Sequence, residues 1–303
     1  MGLTIAYMTC RQNPRFEWFR DSLLHQNPIG IVNRIVVVDF HAATREPKLD
    51  VPGIETIVTT PKPTVWQGPH RLTKRDYFAA ANARNTALCY AKDGWIAYVD
   101  DLSVLMPGWL KCVREAMQGN YIALGAYRKV LKLQVENGEV KYLEDHPSGW
   151  DSRWKHGNDA HPVPAAGGWL FGASVAMPVE TLLKINGWDE DCDSLGGEDY
   201  IAGLMLEKHG YRFMYDRRML TLESEELHHY EVTLTRIDKG KSPKDKSHKI
   251  LKMVTDHGRH RAPNYFGNEG IAGLRQRVLR GEPFPIPSIP EHDWYDDQPL
   301  REM

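Results

Sequence analysis

The stretch that decides the reading of this chain is AGGWLFGASVAMPVETLLKINGWDEDCDSLGGEDYIAGLMLEKHGY, Ala166 to Tyr211. Its centre is Gly196-Gly197-Glu198-Asp199. Two glycines let a backbone approach a ligand and take conformations that a Cβ forbids. Two carboxylates follow, where an apolar periodicity begins (Tyr200, Ile201, Leu204, Met205). The spacing therefore predicts Glu198 and Asp199 in the first turn of a helix, where negative charge is favoured. Acidic capping alone would account for that much. The flanks add order. Gly167-Gly168-Trp169 leads into a strand of small residues, then Met177-Pro178 and a short amphipathic helix with Leu182, Leu183 and Ile185. Asn186-Gly187-Trp188-Asp189-Glu190 follows.

Upstream, Leu3 to Met8, Arg34 to Asp39 and Ile54 to Thr59 read as strands, the second apolar throughout, as when both faces are covered. Arg15 to His25 reads as a helix with Phe16, Phe19 and Leu23 on one face. Strand, helix, strand at this spacing argues for a parallel sheet with right-handed crossovers. Ligands of such sheets bind beyond the carboxyl ends of the strands, which is where Asp39 falls. Asp76 to Lys92 is expected to be helical and carries Arg84. Trp95 to Val99 forms the next strand and runs into Asp100-Asp101. Asn137-Gly138, between alternating segments, is a hairpin signal. Asp145 to Ala165 reads as an irregular loop holding Trp150, Trp154, His156 and His161. Arg212 to Tyr215 and Met219 to Glu223 are strand-like, and His228-His229 follow shortly after.

The 303 residues suffice for one large α/β domain. A formal charge of −2 excludes a general nucleic-acid coat. The four cysteines, Cys10, Cys89, Cys112 and Cys192, form no Cys-x-x-Cys pair, which argues against a zinc site and for a reducing compartment. No apolar run approaches a membrane span, so a cytoplasmic protein is expected.

The order Gly-Gly, strand, short helix, Asn-Gly-Trp-Asp-Glu, loop, Gly-Gly-Glu-Asp, helix resembles the catalytic domain of glycosyltransferases with the A-type fold. It is most similar to the β-1,4-galactosyltransferase and polypeptide N-acetylgalactosaminyltransferase group and their bacterial family-2 relatives. The resemblance implies a single Rossmann-like α/β domain, with a central, mostly parallel sheet flanked by helices, a β-hairpin insertion and a C-terminal extension. Residues 1–235 would form the catalytic domain, split into a nucleotide half (1–105) and an acceptor half (106–235). Residues 236–303 would be a basic segment and a Pro-rich extension.

It further implies a transferase moving a sugar from a nucleoside-diphosphate donor, UDP first among them, to an acceptor hydroxyl such as a glycan's, with inversion. Thr9, Asp39, Arg84, Asp100, Asp101 and Gly197 would hold the donor. Asp199 would be the general base, with Glu198 orienting the acceptor. Trp169 and Trp188 would face the acceptor. Mn²⁺ or Mg²⁺ would sit on Asp100 and Asp101 with His228 or His229. Hard carboxylate oxygens at a strand end suit such a cation. In one respect the chain departs from the family. The last acid of the family's Asp-x-Asp motif is Leu102 here, so either Asp101 takes over its role or metal use is weakened. Two other readings remain in view. A sugar nucleotidyltransferase would carry a Gly-rich loop after the first strand, and Thr9 to Pro14 has no glycine. A catalytically silent binding protein could also keep this fold.

Overall fold

The computed structural model describes residues 2–63, 79–193, 196–228, 250–263, 265–266 and 269–286. Ten strands form one sheet. Strands β1 (Gly2–Thr9), β2 (Val32–Asp39), β3 (Thr56–Thr59) and β4 (Gly94–Asp100) make its parallel half. Their order is β3-β2-β1-β4, and all three pairings are parallel. The register sets Thr9 beside Asp39 and Met8 beside Asp100, so the acidic ends of β2 and β4 flank the end of β1.

Beyond β4 the sheet becomes mixed. The remaining strands are β5 (Ser103–Leu105), β6 (Ile122–Glu136), β7 (Glu139–Trp150), β8 (Val163–Ala165), β9 (Ser174–Pro178) and β10 (Phe213–Ser224). Strand β9 runs antiparallel to β4 and β6, whereas β10 is parallel to β6. Helices α1 (Phe16–Leu24), α2 (Ala80–Tyr90), α3 (Trp109–Gly119), α4 (Val179–Lys184), α5 (Glu198–Lys208) and α6 (Glu225–His228) follow in chain order. Two more are α7 (250–255) and α8 (Gly270–Leu279). The core lies on both sheet faces, one lined by Ile5, Val37 and Trp109, the other by Val36, Tyr98 and Met177. The alternation of Val36 and Val37 to opposite faces is the two-residue period of a strand.

The hairpin expected at Asn137-Gly138 is the β6–β7 turn, with φ of 49° and 74°, the left-handed pair that such a turn needs. Its length is a correction. Strand β7 continues to Trp150, so 145–150 is paired strand rather than loop. The described part of the C-terminal extension packs into the core. Ile250, Val254, Ile271, Leu274 and Val278 share one buried cluster with Tyr98 and Trp188.

Candidate active site

Gly196 and Gly197 turn the chain into α5 with φ of 76° and 87°. A Cβ on either would meet open space, so the backbone conformation, and no crowding, is what calls for glycine. Glu198 is buried and Asp199 half-buried. Asp199 is oriented from both sides. The backbone N–H of Tyr200 donates to one oxygen at 2.7 Å and that of Gly172 to the other at 3.2 Å. Helix α5 is seated by a reciprocal glycine contact, since a Cβ on Gly203 would lie 1.9 Å from the Gly167 carbonyl oxygen.

Arg84 joins the two halves of the sheet. It lies on α2, buried, with its guanidinium 5.1 Å from the Trp188 ring centre. One terminal nitrogen donates to Glu198, and the other lies 3.5 Å from Asp100 Oδ1. Gly172 leaves room for it, for a Cβ there would sit 2.1 Å from Arg84 Nη2. Burial works against the Arg84 charge, but Glu198, Asp100 and Asp199 outweigh it and raise its proton affinity. Burial raises the Glu198 pKa, with Arg84 opposing and Asp199 adding. Asp100 is raised in the same way, and its side chain keeps 37% exposure.

Helix α2 is itself held by the loop of the decisive stretch. The N–H groups of Ala81 and Asn82 donate to the buried Asp193 carboxylate at 2.7 and 3.2 Å, a cap supplied from 112 and 111 residues away. The Asn85 side chain bonds the Trp188 backbone through both its amide oxygen and nitrogen, and Glu190 as well. Asn186 in turn accepts from the Ile271 N–H and donates to Ala262 and Pro263, tying α8 to the same loop.

Asp39 and Asp101 have a different environment. Asp39 is fully buried, with both oxygens on the Arg45 guanidinium and one accepting the His41 N–H at 2.8 Å. Asp101 accepts from Thr9 Oγ1 at 2.7 Å and from Arg11 Nε at 3.3 Å. Burial pushes the Asp101 carboxyl up to about 6 against the pull of Arg11 and Thr9. Leu102 has a φ of 59°, rare for such a side chain, and is buried. The position where the resemblance wants a third acid thus points into the protein.

Of the expected acceptor residues, Trp169 is half-buried, beside the His156 ring at 5.1 Å and edge-on to Tyr215. Trp188 is a correction. It is 1% exposed, edge-on to Tyr98 beneath Arg84, so it shapes the floor of the site and offers no face to an acceptor. His229 and the His228 side chain lie outside the described residues.

Three participants escaped the sequence reading. Arg11 covers Asp101. Lys129 pairs with Glu225 at 3.1 Å and draws down the proton affinities of Asp100 and Glu223. Glu223, at the end of β10, is 9% exposed, and its Oε1 has no hydrogen-bond partner. Burial first, then the charge of Asp100, push it up to about 8. Nothing in the local sequence marks Glu223, because its strand reads as an ordinary sheet element. Around Asp100, Arg84 bridges to Glu198, while Lys129 is paired with Glu225. The partly exposed Asp100 and the unpartnered Oε1 of Glu223 are hard oxygen donors of the kind a divalent cation takes. Cys112, Glu115 and Asp216 also converge, but Arg218 already bonds both carboxylates, at 2.6 and 2.7 Å.

A parallel half whose strand ends meet a Gly-Gly-Glu-Asp helix across a mixed half agrees with the expected A-type glycosyltransferase fold, and solved structures share it. The chain superposes on GalNAc-T7, solved with UDP, GalNAc and Mn²⁺, with a TM-score of 0.58, at 12% identity, over 93% of this chain and 55% of that one. It superposes on S. aureus TarS with a TM-score of 0.53, at 11% identity, over 84% of this chain, and spans only 39% of that protein. Residues 1–349 of TarS, solved in complex with UDP, give a TM-score of 0.51 at 12% identity, over 85% of this chain and 72% of that one. No family model and no curated protein matches the sequence. Among the described residues no helix is long and apolar enough to cross a membrane.

Proposed function

We propose that the protein is a glycosyltransferase that uses a nucleoside-diphosphate sugar, UDP-linked, and transfers the sugar with inversion to an acceptor hydroxyl. The observation that carries this reading is the Arg84 bridge. It binds the Glu198-Asp199 helix start to Asp100 at a strand end, so an acid-base pair and a donor-side carboxylate share one buried cation. The UDP complexes of the structural neighbours support the choice of donor.

Asp199 is the proposed general base. Its two backbone N–H partners fix the carboxylate, and its partial exposure leaves lone pairs for an incoming hydroxyl. As the acceptor oxygen attacks the anomeric carbon, its proton passes to Asp199. The bond from that carbon to the diphosphate breaks, and the nucleoside diphosphate leaves with the electron pair. Attack from the opposite face inverts the configuration. Glu198, held by Arg84, orients the acceptor. A divalent cation, when bound, would stabilise the leaving diphosphate. Asp100 and its neighbouring acids would hold it, with Gly197 on the donor side; Thr9 and Asp39, expected there too, are instead buried and engaged by Asp101 and Arg45.

The test is Asp199→Asn. Transfer should fall by about 10²–10⁴-fold, while UDP affinity stays as in the wild type. An equal loss of donor binding would remove Asp199 from the role of base.

A further inference from the structure

We propose that Glu223, with Asp100, forms the protein's share of a divalent-cation site facing the donor diphosphate, in the place that the family resemblance gives to Asp101. The inference rests on the donor reading above and deepens it. Three observations lead to it. Asp101 is already covered, since Thr9 and the Arg11 guanidinium occupy its oxygens. Leu102, which takes the position of the missing acid, is buried on a left-handed backbone. Glu223 is the reverse case, a carboxyl nine-tenths buried with an oxygen that bonds nothing, at the end of β10.

An orphaned buried acid is costly unless something satisfies it. Among neighbouring charges, Asp100 acts on it most strongly and Asp101 more weakly. Lys129 also acts on it, but its ammonium is paired with Glu225. The pairing of Glu223 with Ser103 and the bond from the Ser224 N–H to the Leu102 carbonyl set this orphaned acid beside the turn that follows Asp100. Small hard cations typically take one or two protein carboxylates and complete their shell with phosphate oxygens and water. Two acids and a diphosphate meet that description.

The experiment follows free Mn²⁺ by its electron paramagnetic resonance signal in the full chain, with and without UDP. UDP affinity without metal and melting temperature are measured in parallel. Wild type should take up Mn²⁺ in the presence of UDP. Glu223→Gln should weaken that uptake by about tenfold or more while UDP affinity without metal and melting temperature hold. Glu223→Asp should recover part of the affinity. Mn²⁺ uptake by Glu223→Gln equal to wild type would overturn the proposal. Wild type that binds UDP but no Mn²⁺ would overturn it too, yet leave the donor reading standing. If UDP does not bind at all, the donor reading fails separately. Mn²⁺ titrated alone then judges Glu223 by the same comparison, a lower affinity in Glu223→Gln supporting it and an equal one overturning it.

Discussion

The two acids at the end of β4 and the start of the following turn are neighbours in sequence and opposites in structure. Asp101 faces the parallel half of the sheet, where Thr9 and Arg11 cover it, as Arg45 covers Asp39. Asp100 faces the mixed half, keeps over a third of its side chain in solvent and shares Arg84 with Glu198. The parallel half has its charges closed by arginines. On the mixed side, Asp100 and Glu198 share one guanidinium, and the Oε1 of Glu223 has no partner. Adjacent acids in a motif are therefore not interchangeable, and which one is open depends on the cations that the fold brings to it.

The comparison can be broken most forcefully at Arg84. Arg84→Met should leave Glu198 buried without its partner and cost about 3–5 kcal/mol, a melting shift of roughly 10 °C. Thermal unfolding would show it. A cost under about 1 kcal/mol, the range of ordinary surface ion pairs, would deny the bridge its part. Next in size is the seat of α5. Gly203→Ala sets a methyl 1.9 Å from a backbone oxygen and should cost about 1–3 kcal/mol. Gly172→Ala should act mainly on chemistry, because the added carbon displaces the Arg84 guanidinium. Transfer should fall with only a modest loss of stability.

The smallest effect expected is a pH slope. Burial, with the charge of Asp191, raises the Asp189 pKa despite Arg259 2.6 Å away. The folded state then holds a proton that the unfolded chain has released, so stability falls as pH rises from about 4 toward neutrality. Asp189→Asn should flatten that slope in melting curves recorded between pH 5 and 8.

Much of this arrangement was legible in the sequence because it is local. Alternation, turn residues and an acidic helix start gave the strands, the Asn137-Gly138 hairpin and the place of Glu198 and Asp199. What escaped depends on partners far along the chain. Asp193 capping α2, Arg11 closing Asp101 and the unpaired oxygen of Glu223 all arise between elements that only the fold brings together. Trp188 illustrates the same limit. An aromatic beside a catalytic motif reads as a sugar platform, yet here it is the apolar floor under a buried cation.

The central claim is that a sugar nucleotide binds between Asp100 and Asp199, and nucleotide-induced thermal stabilisation tests it most directly. UDP at 100 times its dissociation constant should add about 2.7 kcal/mol, a rise of several degrees at roughly 2–4 °C per kcal/mol, larger with Mn²⁺ present. No rise with UDP or any other nucleoside diphosphate, with or without Mn²⁺, would contradict it and leave the fold as a binding scaffold without a donor.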